Sequence, residues 1–361
     1  MKILSLFDGI SCGMLALERT GIPVEEYAAY EIDKYAKIIS SKNYPQIEQY
    51  GDVMTADFTK HKGFDLLMGG SPCTYWSVAR LNRETTPDGM GGKLFMEYVR
   101  ALRESECKWF LYENNYSIHK NIKAFISEQL DVEPIMINSA LLSAQQRKRL
   151  YWTNIPEITQ PQDKGLIVQD ILDSGLSWQD KSYCVTCSYR PTLYDTITRH
   201  RNTLVAEPVV LNQTDGKART IKAQYGRNGL ANAVRSDGFS ATMVAQPIRI
   251  GEYGKGGQGQ RIYSVKGKSV TLSANGGGQG AKTGMYKIDL PDGDYVIRKL
   301  SPVEAERLQT LPDNYTEGIS DTQRYKCIGN GWTVDVIAHI LSFLPKAAHT
   351  SQCCKSHIPF G

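Results

Sequence analysis

The chain has 361 residues, 41% of them hydrophobic, with a formal net charge of +4, enough for one large domain or two unequal ones around a sizeable core. No apolar run approaches the roughly 18–20 residues of a membrane-spanning helix, and Met1-Lys2-Ile3-Leu4 runs straight into an apolar strand without a signal-peptide pattern. Eight cysteines without framework spacing suit a reducing, cytoplasmic compartment; a monomer without a membrane partner is the accompanying expectation.

The first half alternates short apolar runs with amphipathic stretches, the pattern of a parallel sheet with crossover helices. Lys2–Phe7 reads as the first strand and Gly13–Thr20 as a helix, with Met14, Leu15, Leu17 and Glu18 at helical spacing. Tyr27–Glu31 is a second strand and Asp33–Asn43 a second helix; Phe64–Met68, Phe110–Tyr112, Ile135–Asn138 and Leu150–Asn154 are further strands. The polar stretch Thr74–Gly92, ending in Gly89-Met90-Gly91-Gly92, reads as a mobile loop that closes over a substrate. Past about residue 172 helical periodicity gives way to short β-like runs, of which 195–198, 218–221, 240–243 and 269–272 are weakly similar to one another. Helix returns near the end: Ser301-Pro302 carries an N-cap with proline at the first helical position, and Thr333–Leu344 forms another helix. A β-rich middle flanked by α/β segments implies an inserted domain.

Charge is concentrated in that middle. Twelve Lys or Arg lie between Lys217 and Lys287, opposed only by Asp237 and Glu252. A solvated surface mixes its signs; a one-sided stretch rich in Gly, Asn and Gln points to a polyanion.

Gly70-Ser71-Pro72-Cys73 follows an apolar strand, so it presents a thiol at the carboxyl edge of a sheet, where α/β enzymes keep their chemistry. Glu113-Asn114 and Gln145-x-Arg147-x-Arg149 follow it in the chain. Alone, Cys73 reads as a small core residue, and Glu113 with Arg149 as a structural ion pair. Together, in this order and spacing, they resemble the DNA (cytosine-5)-methyltransferases, over nearly the whole chain. The resemblance implies a class I S-adenosylmethionine-dependent methyltransferase domain, α/β with a Rossmann-like mixed sheet, at residues 1–172 and 298–361. It also implies a smaller β-rich target-recognition domain at 173–297. In that reading Cys73 is the thiolate that adds to cytosine C6, its pKa lowered by a helix start or a cation. Glu113 holds a proton against N3, Arg149 holds O2, and Arg147 orders the catalytic loop and a neighbouring phosphate. Ser77 touches a phosphate. Because C6 is hidden in the duplex stack, the base must be flipped out.

For the cofactor, Phe7-Asp8-Gly9-Ile10-Ser11-Cys12-Gly13 makes a glycine turn between the first strand and helix, with Ser11 and Cys12 in place of the family's usual residues before Gly13. Glu31 ends the second strand, where an acid accepts ribose hydroxyls, and Asp52-Val53 follows where the family contacts the adenine. The incomplete Gly-x-Gly-x-x-Gly argues against a pyrophosphate, which S-adenosylmethionine lacks. Phe7, Gly9, Ile10, Gly13, Glu31, Ile32, Asp52, Val53, Pro72, Asn330 and Trp332 are the expected cofactor residues. Three departures stand out: Ile32 replaces an adenine-stacking tryptophan, Trp332 a valine, and Asn115 the valine after Glu-Asn.

Gly254–Ser264 and the segments at 271–278 and 281–284 resemble the recognition domain of GCGC-specific bacterial members. Two glycine-rich loops let backbone approach the major groove of double-stranded DNA. By that resemblance Arg261 contacts a guanine, Gln258 enters the duplex opposite the orphaned guanine, Thr271 places the backbone near the flipped nucleotide, and Lys255 and Asn275 line the same surface. A GCGC or CpG-containing target is the expectation, in a bacterial or phage enzyme. Asn275 and Gln260 depart from that pattern at the outer bases. Cys184-x-x-Cys187 with His200, and the terminal His349, Cys353, Cys354 and His357, lack a completed zinc spacing, so no metal is expected. Two rivals stay open at this point: a tRNA cytosine methyltransferase on the same fold, whose deep RNA groove disfavours the Gln258–Arg261 loop, and an inactive DNA-binding paralogue.

Overall fold

A computed structural model of the chain describes residues 1–77, 82–185, 203–208, 249–252, 261–263 and 295–345. Seven strands form one sheet in the order β3-β2-β1-β4-β5-β7-β6: β1 Lys2–Leu6, β2 Glu26–Tyr30, β3 Glu48–Tyr50, β4 Leu66–Gly69, β5 Trp109–Asn115, β6 Ile135–Asn138 and β7 Lys148–Thr153. The first five run parallel; β7 lies antiparallel to both β5 and β6. The chain winds outward from β1 to β3, then restarts on the other side at β4. The crevice between the carboxyl ends of β1 and β4 is thus a topological switch point.

Both faces of the sheet are buried, which is why its strands read as near-continuous apolar runs. Ile3, Tyr27, Ala29, Leu66, Met68, Leu111 and Tyr151 pack on one face with α1 (Cys12–Thr20), α2 (Lys34–Asn43) and the C-terminal helices α5 (Pro302–Leu308), α6 (Asp321–Asn330) and α7 (Val334–Leu341). Leu4, Leu6, Ala28, Leu67, Tyr112, Leu150 and Trp152 pack on the other with α3 (Met90–Ser105) and α4 (Lys120–Leu130). The expected strands and helices that fall within the described residues are present, with ends shifted by at most three residues. The short strand β3 and the helices α3, α4 and α6 were not among the expected elements.

Met90-Gly91-Gly92, expected in the closing loop, is instead the first turn of α3. The Glu84 carboxylate caps that turn from outside it, accepting the Met90 N–H at 3.0 Å, the Gly91 N–H at 3.1 Å and the buried Trp76 indole N–H at 3.2 Å. The glycines are needed for space, since a Cβ on Gly92 would stand 1.7 Å from the Pro87 carbonyl oxygen.

The C-terminal return begins at Ser301, whose hydroxyl accepts the Glu304 N–H at 3.1 Å while Glu304 accepts the Ser301 N–H at 2.7 Å, a reciprocal capping box. Glu304 also forms a two-pronged ion pair with Arg298 at 2.7 and 2.8 Å. Arg298 lies on β11 (Tyr295–Lys299), which pairs antiparallel with β8 (Leu204–Pro208). A second antiparallel pair joins β9 (Arg249–Glu252) to β10 (Arg261–Tyr263). No helix among the described residues is long and apolar enough to cross a membrane. Ser301→Ala should lower the unfolding free energy by about 1 kcal/mol, read as an earlier urea midpoint at unchanged slope.

Candidate active site

The carboxyl ends of β1, β2, β4 and β5 empty into one cavity of about 220 Å³. Its lining brings together Cys73, Glu113, Arg147 and Arg149 with Phe7, Gly9, Ile10, Glu31, Ile32, Asp52, Val53, Pro72, Asn330 and Trp332. Of the expected cofactor residues only Gly13 is absent from that lining. It sits inside α1, where a Cβ would meet the Met68 side chain at 2.8 Å and the Tyr27 hydroxyl at 3.0 Å. Gly13 therefore serves helix–sheet packing.

The turn after β1 is held by Asp8, whose carboxylate accepts the Ser5 and Ser11 hydroxyls at 2.6 Å and the Tyr27 hydroxyl at 2.7 Å. Burial raises the Asp8 pKa above the ordinary carboxylate value, and these three donors oppose the rise. Phe7, Gly9 and Ser11 take left-handed backbone angles, so the chain folds back sharply. Gly9 then donates its N–H to Glu31 at 2.9 Å, and the same carboxylate accepts the N–H groups of Ile32 and Asp33. Beside it, Ile32 leaves a large apolar side chain 75% exposed.

The nucleophile loop is built on β5. The buried Asn114 amide donates to the Ser71 carbonyl and the Tyr112 hydroxyl, and Tyr112 in turn bonds the Ser71 hydroxyl at 2.6 Å. Cys73 opens a short 3₁₀ turn, Cys73–Tyr75, and is half-buried. Gly70 is required at its position, because a Cβ there would lie 2.8 Å from the Glu113 carbonyl oxygen and 3.0 Å from its carboxylate.

Glu113 and Arg149 form an ion pair, Nε to Oε1 at 2.9 Å, and the other carboxylate oxygen accepts the Trp332 indole N–H at 3.1 Å. That indole contact makes Trp332 a partner of Glu113 as well as a wall of the cavity. Arg147, only 5% exposed, spends its guanidinium on main-chain oxygens: Gly329 at 3.2 Å and Gly331 at 2.9 Å. It anchors the segment that carries Asn330 and Trp332.

The electrostatics of the two nearby thiols differ. Burial pushes the Cys73 thiol above its ordinary value, Arg149 pulls it down and Glu113 pushes it up again. The expected lowering of Cys73 is therefore not present in the free protein. Burial opposes ionisation of Cys184 too, but Arg147 and Arg149 together draw its thiol below the ordinary value. Its sulfur accepts from Arg147 at 3.2 Å and from Arg149 at 3.9 Å. Its polar neighbours are the guanidinium groups of Arg147 and Arg149. Among the described residues no three His, Cys, Asp or Glu side chains gather as a metal site. Cys187, His200 and the C-terminal histidines and cysteines lie outside the described residues.

Ser77 follows the 3₁₀ turn, its N–H bonded to the Cys73 carbonyl at 2.9 Å. Arg261 opens β10, opposite Glu252. Lys255, Gln258, Thr271 and Asn275 lie outside the described residues, as do the four similar β-like runs.

The family model for C-5 cytosine-specific DNA methylase matches residues 1–346. The chain belongs to that family. It is a DNA (cytosine-5)-methyltransferase of the class I fold, uses S-adenosylmethionine as methyl donor and acts on DNA. Among similar proteins, the type II methyltransferase M.HhaI of Haemophilus parahaemolyticus is 27% identical over 346 residues, 94% of this chain and 93% of the relative. The orphan methyltransferase M.SPRI of Bacillus phage SPR is 26% identical over 436 residues, 95% of this chain and 97% of the relative. Among solved structures, the Entamoeba histolytica methyltransferase EhMeth superposes with a TM-score of 0.59 at 15% identity, covering 95% of this chain and 97% of the other. The Dnmt2 methyltransferase of S. pombe gives 0.56 at 13% identity, covering 95% and 98%.

Gly70→Ala should displace the Glu113 carboxylate or the Cys73 loop by the missing few tenths of an ångström to an ångström. We expect kcat to fall about 10–100-fold while the thermal unfolding profile stays close to wild type, measured by methyl-transfer kinetics and calorimetry.

Proposed function

We propose that Cys73, Glu113 and Arg149 carry the methylation chemistry on a cytosine flipped out of duplex DNA. The observation that carries this reading is their convergence on one cavity with Glu31, Asp52 and Asn330. A base entering there meets the thiol, a carboxyl and a guanidinium within one desolvated space.

The cavity suits S-adenosylmethionine. Glu31 and Asp52 offer carboxylates for ribose hydroxyls and an adenine amino group, exposed Ile32 with Phe7 and Val53 offers apolar surface for the base, and the turn at Gly9-Ile10 with Asn330 closes on the amino-acid end. The cofactor supplies an electrophilic methyl carbon. The rest is done by the chain. Cys73 Sγ adds to C6 of the ring, which makes C5 electron-rich enough to take the methyl group. Glu113 places a proton at N3 as charge develops there, and Arg149 holds O2, so negative charge on the ring meets fixed partners in a low-dielectric site. Loss of the C5 proton and departure of the Cys73 thiolate restore the aromatic ring. Arg149 and Trp332 are already engaged with Glu113, so the base inserts into a preformed set of donors.

Residues 1–172 and 298–361 form the catalytic domain in this proposal, and 173–297 the recognition domain, which acts as part of a cytoplasmic monomer. Lys255, Gln258, Arg261, Thr271 and Asn275 read the DNA, with Ser77 on a phosphate. The Gly-rich segment between β9 and β10 is followed by a strand, not a helix, which suits groove contact better than phosphate cradling. A GCGC-like or CpG-containing target follows from the resemblance of these loops. Bisulfite sequencing of plasmid DNA from a methyltransferase-free host should show protected cytosines in one short motif, with all protection lost in Cys73→Ala. Unprotected DNA from folded, cofactor-binding wild-type protein would overturn the proposed substrate.

A further inference from the structure

We propose that Asn115 is a catalytic residue of this enzyme: its side-chain amide donates a hydrogen bond to the Cys73 sulfur and stabilises the attacking thiolate. The inference rests on the reading of Cys73 as nucleophile.

The sheet geometry puts Asn115 in position. In the antiparallel pairing of β5 with β7, Glu113 stands opposite Tyr151 and Asn115 opposite Arg149. Opposed residues share a face, and so do residues two apart on one strand. Glu113, Asn115 and Arg149 are therefore presented on the same side, while Asn114 points to the other and supports the loop through Ser71 and Tyr112. Asn115 is 8% exposed and lines the cavity together with Cys73. Its main-chain N–H is held by the Asn114 side chain at 2.8 Å, which fixes the end of the strand. Among the groups around Cys73 its side chain works to lower the thiol, after Arg149 and Arg147.

The chemistry needs such a donor. Cys73 is buried enough for desolvation to work against its ionisation, and Glu113 adds a like-charge penalty. Arg149 and Arg147 favour the thiolate, but Arg149 is shared with Glu113 and Arg147 with the Gly329 and Gly331 carbonyls. A neutral amide N–H adds stabilisation of the thiolate without attracting the carboxylate away from the base. A valine at this position, the usual residue of the family, has no hydrogen to donate. The substitution thus tunes the nucleophile of this particular chain.

The test is the pH dependence of Cys73 alkylation by iodoacetamide in the full-length enzyme, followed by mass spectrometry of the Cys73 peptide. Removing the donor in Asn115→Val raises the thiol pKa, so less thiolate is present below it. Labelling near pH 7.5 should drop about three- to tenfold, a shift of up to one pKa unit, and recover as pH rises. Asn115→Asp, which puts a second carboxylate beside the sulfur, should slow labelling at least as much; Asn115→Ser, which restores a short donor, should fall between. The kcat profile should move with the labelling profile while KM for DNA changes little. Labelling of Cys184, which faces the arginines, should stay constant and shows that the site is intact. Superimposable wild-type and Asn115→Val profiles would overturn the proposal. Methyl transfer that survives Cys73→Ser would instead overturn the reading of Cys73 itself, so the two failures are separable.

Discussion

The antiparallel pairing of β5 with β7 is the constraint on which the site depends. Six parallel strands with Cys73 after β4 would deliver the thiol and Glu113 to one edge and nothing more. Reversing β7 brings the Gln145-x-Arg147-x-Arg149 run back to that edge, so Arg149 stands opposite Asn115 and reaches Glu113. Arg147, two residues earlier, points into the C-terminal return and ties down the Gly329–Gly331 segment. One reversed strand thus joins nucleophile, carboxyl, guanidinium and cofactor wall.

The same arrangement concentrates charge in a poorly solvated place. Burying a guanidinium is costly unless its donors are used and its charge is matched. Here Arg149 pairs with Glu113, Arg147 bonds the Gly329 and Gly331 carbonyls, and both contact the Cys184 sulfur. Their field reaches Cys73, but desolvation still holds that thiol protonated more firmly than an exposed cysteine.

Much of this was legible in the sequence because strand ends and motif order speak for themselves. Gly70–Cys73, Glu113-Asn114 and the two arginines each fall at a strand terminus or inside β7, where period-2 patterning and apolar runs mark the backbone. The glycine turn before α1 was legible for the same reason. Helix α3 was not: its first turn holds two glycines, the poorest helix formers after proline, and its cap comes from Glu84, outside the local pattern that capping rules inspect. Helix α4 starts from His119, whose ring accepts the Asn121 N–H, although Ile122, Phe125, Ile126 and Leu130 carry a helical spacing that could have revealed it. Cys184 illustrates the opposite difficulty. Its partners stand 35 and 37 residues away in the chain, so local spacing could not show that the fold sets it against two arginines.

The most direct test of the account is covalent capture. Duplex DNA containing 5-fluorocytosine throughout, incubated with enzyme and S-adenosylmethionine, blocks the last step because C5 carries fluorine in place of the proton that must leave. A denaturation-resistant protein–DNA adduct that needs the cofactor and maps to the Cys73 peptide is the expected result. An adduct on Cys184, or none with protein that binds both cofactor and DNA, would contradict it.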